Sequence, residues 1–397
     1  MKRVYITTVL TCLVILAAFF CFYRFSNVTR ERDHLTVGFV YDNDESTPYT
    51  YNFSLAKDAV EKKYGDRVDI YTCSNVLDDE MEEPVRELAE KGCDIIFFNG
   101  YSYLVRKLAQ DYPDIQFCQT SYMDMSDQTV PDNYHTFKGE AYQGRFVSGI
   151  AAGMKIKQMI ADELITPDQA VVGFVAAYPT SEVISGYTAF LLGVRSVVPS
   201  AVMRVCYTQT WSSYPQERDA AQRLIDDGCV IISQHTDTIG PAIACEEALE
   251  TRPVYFVSYN QSMSEVAPGS SLISSRICWE PYVLAAVDAV MKNKTIESNM
   301  EGNIHGNDIS AGFENGWIEM DDLNLQVAPT GTQKAMGSAV AQFKRGKVDF
   351  VFKGDYLGIN PDDPDDTLDL KKGYIENENT SYPLFHYILK DIITVVE

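Results

Sequence analysis

Val37-Gly38-Phe39-Val40 returns as Val172-Gly173-Phe174-Val175, 135 residues further along a chain of 397. At the same offset, Val68–Val76 falls on Met203–Trp211. Leu88-x-x-x-Gly92-Cys93-x-Ile95-Ile96 falls on Leu224-x-x-x-Gly228-Cys229-x-Ile231-Ile232 at an offset of 136. Any two parallel strands look somewhat alike, so one match carries little. Three in register over half the chain imply two lobes of one topology.

The segments around these matches alternate between two periodicities. β-branched and aromatic runs mark strands at Thr36–Tyr41, Val68–Thr72, Asp94–Phe98, Ile115–Gln119, Val171–Ala176, Met203–Tyr207, Val230–Ser233 and Val254–Ser258. Helical patterns such as Met81–Lys91, Tyr103–Tyr112, Ser181–Val197 and Tyr214–Asp227 lie between them. Strands joined by helices of this length predict an α/β fold, each lobe a parallel sheet with helices on both faces. The longest helical pattern, Glu140–Met159, falls at the midpoint. The predicted layout is a membrane segment (1–26), a first lobe (35–160) and a second lobe (161–277). Residues 278–397 then cross back to the first lobe and pack across both. In that last stretch Ala335–Lys344 reads as helix, Val348–Lys353 as strand and Tyr382–Val395 as amphipathic.

The amino terminus stands apart. After Lys2 and Arg3, Val4–Tyr23 carries no charge before Arg24, long enough to span a bilayer as a transmembrane helix. No small-x-small site follows it, which favours a retained anchor over a cleaved signal peptide. Neither Cys12 nor Cys21 follows the small residue a bacterial lipoprotein signal places there, so lipidation is the lesser alternative. With one span and a globular remainder, the expectation is anchorage in the cell membrane with the folded part extracellular.

Composition excludes other classes. A net charge of −23 repels phosphate backbones, so nucleic acid is not an expected partner. Seven of the nine cysteines lie outside the apolar run, with no C-x-x-C spacing, and Cys93 and Cys229 each open a buried-looking strand. They read as small buried hydrophobes rather than disulfides or ligands. No two of the five histidines have metal-ligand spacing. There is no P-loop, no G-x-G-x-x-G and no G-x-S-x-G elbow, so neither cofactor nor enzymatic activity is expected. The acidic run Asp355–Asp366 lacks EF-hand spacing and reads as a solvated turn.

In open parallel sheets, ligands bind beyond the carboxyl ends of the strands, and two facing lobes close over them. The residues at those ends are aromatic and amide-rich. Asp42-Asn43-Asp44-Glu45 and Tyr49-Thr50-Tyr51-Asn52 follow the first strand, and Asn99-Gly100-Tyr101 the third. Thr210-Trp211, Gln234-His235-Thr236-Asp237, Tyr259-Asn260 and Trp279 follow in the second half. The candidate ligand-binding residues are Tyr49, Tyr51, Asn52, Tyr101, Trp211, Asp237, Tyr259, Asn260 and Trp279. Rings that stack and amides that read edges suit a planar heterocycle, at roughly 1–3 kcal/mol per stacked base. Sugars also bind between aromatics and carboxylates, so both ligand classes stay open.

From about Leu35 to Trp317 the chain resembles the basic membrane protein family of solute-binding proteins of ABC transporters, which includes purine-nucleoside receptors, and within it the adenine- or guanine-binding branch. The resemblance is carried by Gly139-Glu140-Ala141-Tyr142-Gln143-Gly144-Arg145-Phe146-x-x-Gly149-Ile150-Ala151-Ala152-Gly153 and Phe190-x-x-Gly193-Val194-Arg195-Ser196. Thr210-Trp211, Gln234-His235-Thr236-Asp237, Tyr259-Asn260-x-x-Met263 and Trp279-x-Pro281-Tyr282 add to it in the same order. It implies a two-lobed periplasmic-binding-protein fold of type I that hands a purine base or nucleoside to a permease and ATPase. It also implies stacking by Tyr49, Tyr101 and Trp211, and edge reading by Asn52, Asp237 and Asn260. Three positions depart from the family. Ser262 stands where nucleoside binders tend to have an acid, and Ile277, beside Arg276, falls about where they have a lysine. Both departures favour a free base over a nucleoside. The third is a tryptophan, common near Tyr49 in the base-binding branch, that this chain lacks. A sensory or regulatory ectodomain, anchored in the membrane and closing on a nucleoside or sugar, is the alternative of a different class.

Overall fold

The computed structural model describes residues 31–121, 130–321 and 323–396. The apolar segment Val4–Tyr23 lies outside them; among the described residues no helix is long and apolar enough to cross a membrane.

The first sheet is built from β1 (Leu35–Val40), β2 (Val68–Cys73), β3 (Ile95–Phe98), β4 (Gln116–Thr120) and β5 (Tyr134–Gly139). The second repeats the plan with β6 (Val171–Ala176), β7 (Val202–Tyr207), β8 (Ile231–His235), β9 (Tyr255–Tyr259) and β10 (Ser271–Ile277). Both run in spatial order second, first, third, fourth, fifth, all parallel. Alternate residues of each strand serve opposite faces. Val37 and Phe39 join one core, where α1 (Pro48–Tyr64) packs, and Val40 joins another beneath α2 (Glu82–Glu90) and α3 (Tyr103–Asp111). Burial on both faces is what makes these strands read as continuous apolar runs.

The repeated Leu-x-x-x-Gly-Cys motif has a mechanical cause. Gly92 (φ 80°) and Gly228 (φ 88°) take the left-handed conformation that ends α2 and α6 (Tyr214–Asp226), helices separated by α4 (Ala141–Ala161) and α5 (Ser181–Arg195). The next amides, Cys93 and Cys229, donate back to the Leu88 and Leu224 carbonyls at 3.1 and 3.0 Å. Each turn thereby drops the chain into a central strand. The two-lobed α/β expectation is met by this pair of sheets.

Between the sheets, α4 packs on α5 so closely that a Cβ on Gly149 would lie 2.1 Å from the Phe190 carbonyl oxygen. Gly193 meets Phe146 in the same way. After α7 (Gly240–Ala248) and β10, α8 (Glu280–Met291) packs against α1. Beyond it, β11 (Asn303–His305) and β12 (Asp308–Ala311) extend the first sheet beside β5. The chain then returns to the second sheet as β13 (Ile318–Met320), antiparallel to β10. The three passages touch: Glu140 N–H donates to the Ala311 carbonyl at 2.9 Å, and Cys278 N–H to that of Trp317 at 2.8 Å.

The carboxyl-terminal stretch begins with α9 (Thr332–Phe343), which packs on α4. A small antiparallel sheet follows, with β14 (Leu357–Ile359) between β15 (Thr367–Asp369) and β16 (Ile388–Leu389). β17 (Ile393–Val396) then pairs with β7 at the edge of the second sheet. Val348–Lys353 forms no strand, only an isolated bridge between Phe352 and Tyr374. The amphipathic run Tyr382–Val395 is irregular chain followed by β16 and part of β17, not a helix. The β-branched residues Ile392–Val395 fit a sheet edge better than a helix.

Candidate functional site

Both sheets reverse strand order between their first and third strands, so each has a switch point at β1/β3 or β6/β8. At the first, Asp42 N–H donates to Asn99 Oδ1 at 2.9 Å, and Asp42 Oδ1 accepts from Asn99 Nδ2 at 2.9 Å and Thr50 Oγ1 at 3.3 Å. The Asn99 carbonyl accepts from Tyr49 Oη and Thr120 Oγ1, each at 2.7 Å. Thr47 caps α1 and so sets Tyr49 and Thr50 on its first turn. Burial pushes the Asp42 carboxyl upward against the pull of these hydrogen bonds.

At the second switch point the groups are aromatic. Trp211 lies 5.5 Å from Tyr178 and 6.2 Å from His235, measured between ring centroids, and His235 lies 4.9 Å from Tyr259. The Arg145 guanidinium, carried by α4, sits 3.5 Å over the Tyr259 ring. Asp237 N–H donates to the Trp211 carbonyl at 2.9 Å. Several buried polar atoms here have no hydrogen-bond partner: His235 Nδ1, Thr236 Oγ1, Asn260 Oδ1 and the three Arg145 nitrogens. Asn260 holds φ at 64°, a left-handed geometry that asparagine tolerates.

Electrostatics tie the two edges together. Loss of hydration, followed by repulsion from Asp42, Glu217 and Glu182, pushes Asp237 well above the ordinary carboxylate range. Burial, with Arg145 and Lys138 nearby, pushes His235 well below its usual value, so its ring is neutral at neutral pH. Burial brings Arg145 down to about 10, still protonated. One buried ion pair crosses the cleft directly: Lys138 Nζ on β5 lies 2.8 Å from Glu182 Oε1 in the first turn of α5.

A family of ABC transporter substrate-binding proteins, described as PnrA-like and named Bmp, matches residues 35–343. The chain belongs to the Bmp family. Its members are substrate-binding proteins of ABC transporters, not enzymes. The Bmp chain is 26% identical over 320 residues to a purine-binding protein of Brucella abortus, covering 80% of this chain and 83% of that one. It is 28% identical over 282 residues to a Haloferax volcanii protein named for glucose binding in an ABC transporter, covering 70% and 64% respectively. An ABC transporter solute-binding protein of Aeropyrum pernix shares the fold at 15% identity, with a TM-score of 0.63 over 83% of this chain and 95% of that one.

Five of the nine residues proposed for the Bmp ligand site stand at the facing strand ends: Tyr49 on the first lobe, and Trp211, Asp237, Tyr259 and Asn260 on the second. Tyr101 follows β3, half-buried at the first rim. Three others are placed elsewhere. Tyr51 is 44% exposed: two residues beyond Tyr49, it lies roughly 200° around α1 from that ring, on the outer side of the helix. Asn52 is buried and engaged at the interlobe passage, its Nδ2 donating to the Ile277 carbonyl and its Oδ1 accepting from Arg276 Nη1 at 3.2 Å. Trp279 is fully buried against Phe53 and Phe137, with Tyr49 edge-on to it at 6.0 Å, so it supports the rim from the core. Asn99, Lys138, Arg145, Tyr178 and Glu182 were not among the nine candidates, although Asn99 was noted after the third strand and Arg145 stands in the family motif. Of these, Arg145 had a signal, a charge on the otherwise apolar and small-residue face of α4. The Lys138–Glu182 pair had none, since 44 residues and two lobes separate its members. Among the described residues no cluster of histidine, cysteine, aspartate or glutamate could hold a metal, and all seven cysteines are free.

Proposed function

We propose that this Bmp protein is the extracellular receptor of a purine transporter, tethered by residues 1–26 and passing a nucleobase to a permease and ATPase. The observation that carries the reading is the pairing of ring faces with unpartnered acceptors at the second switch point. Trp211 offers a ring face, and Asn260 Oδ1, with His235 Nδ1 and Thr236 Oγ1 nearby, offers acceptors for ring N–H groups. Tyr49 stands on the first lobe, its hydroxyl held by the Asn99 carbonyl. The name of the Brucella relative supports the same class.

A free base fits better than a nucleoside. Ser262 is exposed and its hydroxyl pairs with that of Ser264 at 3.0 Å. Arg276, the cation beside the family's lysine position, is engaged by Glu280 at 3.3 Å and Glu319 at 2.8 Å. Neither supplies the acid or the free lysine that nucleoside binders tend to have at these positions. Thermal-shift screening of the fragment from about Asp33, against nucleobases, nucleosides, sugars and amino acids, tests the reading. A ligand at a hundred times its Kd adds about 2.7 kcal/mol to stability, enough to rank candidates. Selective stabilisation by adenine or guanine supports it. Stabilisation by sugars alone, with purines inert, overturns the ligand class and leaves the two-lobed receptor standing.

A further inference from the structure

The family match ends at residue 343, yet the chain beyond it reaches back to the cleft. The small sheet is mounted on the second lobe through β17, and between β15 and β16 the chain runs out along one flank of the cleft. Its near end is fastened to α5. Ser185 Oγ donates to Glu376 Oε2 at 2.6 Å, and Ser181 Oγ donates to the Pro383 carbonyl at 2.7 Å. Glu376 is buried and also accepts from the Leu384 and Phe385 amides.

The far end holds the first lobe. Thr380 Oγ1 and Ser381 N–H both donate to Asp308 Oδ2 on β12, at 3.1 and 2.7 Å. Ser381 Oγ donates to Ser121 Oγ, just past β4, at 2.7 Å. Asn377, at φ 59°, shapes the tip by donating to the Thr380 and Ser381 carbonyls. The anchors surround the ion pair that crosses the cleft. Ser181 precedes Glu182, and the Ser121 carbonyl accepts from Lys138 Nζ at 3.4 Å. Ion pair, serines and tail therefore form one closed circuit through both lobes.

We infer that residues 376–385 are an interlobe clasp, a link additional to the three chain passages, which holds the lobes together along this flank and limits how far they part. With the clasp seated, water is kept from Lys138 and Glu182, which strengthens their attraction. Opening must break the contacts of Thr380 and Ser381 together, so ligand exchange is slowed and directed to the opposite rim. The inference rests on lobe closure, but not on purine as the ligand.

The test needs no ligand. Spin labels carried by keto amino acids at exposed positions 103 and 219, one on each lobe, report the interlobe distance in the full chain by pulsed electron resonance. Thr380→Ala/Ser381→Ala removes both side-chain donors, and Ser121→Ala cuts the serine contact from the other lobe. Both leave β16 and β17 untouched. In the double variant, losing one hydrogen bond to a carboxylate and one between hydroxyls should raise the open population at least about fivefold. Distributions identical to wild type in both folded variants would overturn the clasp, as would a wild-type protein already wholly open. An inert purine screen would leave the distance result standing, so the two readings fail separately.

Discussion

The two lobes share a strand order and a repeated helix-to-strand turn, yet their cleft edges are wired differently. On the first, Asp42, Tyr49, Thr50 and Asn99 bond chiefly to one another, and the unpartnered atoms are Tyr41 Oη and the Gln119 amide at the ends of β1 and β4. On the second, His235, Thr236, Asn260 and Arg145 each keep a buried polar atom without a partner. A buried polar atom left unpaired costs about 1–3 kcal/mol, which a ligand can offset when the lobes close. The first lobe is thus a preformed platform and the second the reading surface. Changes in the first network should cost stability, and changes in the second should cost affinity.

The largest effect is expected at the joint between them. Glu140, at the first passage, accepts from Gln143, Asn303 and Ser310, and burial, with Glu314 adding repulsion, raises it from 4.5 to about 7. The folded state therefore holds this proton more tightly than the unfolded chain does. The stability it contributes is complete below about 4.5 and is lost as pH rises through about 7. That loss is on the order of 3 kcal/mol. Asp42, Asp237 and Glu376 are also raised and act in the same sense. Glu140→Gln should flatten the pH dependence of denaturant unfolding between those limits, and an unaltered slope would discount Glu140.

Next comes a matched pair, one residue from each edge. Asn99→Ala strands the Asp42 amide and carboxylate, and should cost about 2 kcal/mol of stability without ligand, read as a lower Tm. Trp211→Ala should leave the unliganded Tm far closer to wild type. It should weaken purine binding at least about tenfold, or 1.4 kcal/mol, by calorimetry. If the two variants exchanged these signatures, the platform and the reading surface would be assigned to the wrong lobes.

Why some of this was legible in the sequence is a matter of range. Leu88-x-x-x-Gly92-Cys93 and its repeat encode a local turn, so both sheets could be placed from short segments. The rule that strand ends face the cleft located Tyr49, Trp211 and Tyr259 but not side-chain direction. Asn52 and Trp279 lie at the right depth in sequence and turn into the interlobe passage and the core instead. Over a run as short as Ile392–Val395, periods of two and 3.6 are hard to separate, which is how two short strands came to look amphipathic. The contacts of Ser381 with Ser121 and Asp308 join residues far apart in the chain and leave no local trace.

The smallest effect gives the sharpest form of the comparison. Asn260 holds a left-handed backbone at the end of β9, and its amide N–H donates to the Ser275 carbonyl at 2.8 Å. An alanine there would add strain to the loss of the side chain, and stability and affinity would change together. Glycine adopts the same φ without steric strain and keeps the backbone bond. Asn260→Gly therefore removes only the unpartnered Oδ1 and its amide. One hydrogen bond to a ligand is worth about 0.5–1.5 kcal/mol, so purine affinity should fall roughly three- to tenfold. The unliganded Tm should hold or rise slightly, since a buried acceptor without a partner is gone. A lower Tm with unchanged affinity would mean that Asn260 supports the strand end and reads nothing, and the second lobe would then differ from the first only in its aromatic rings.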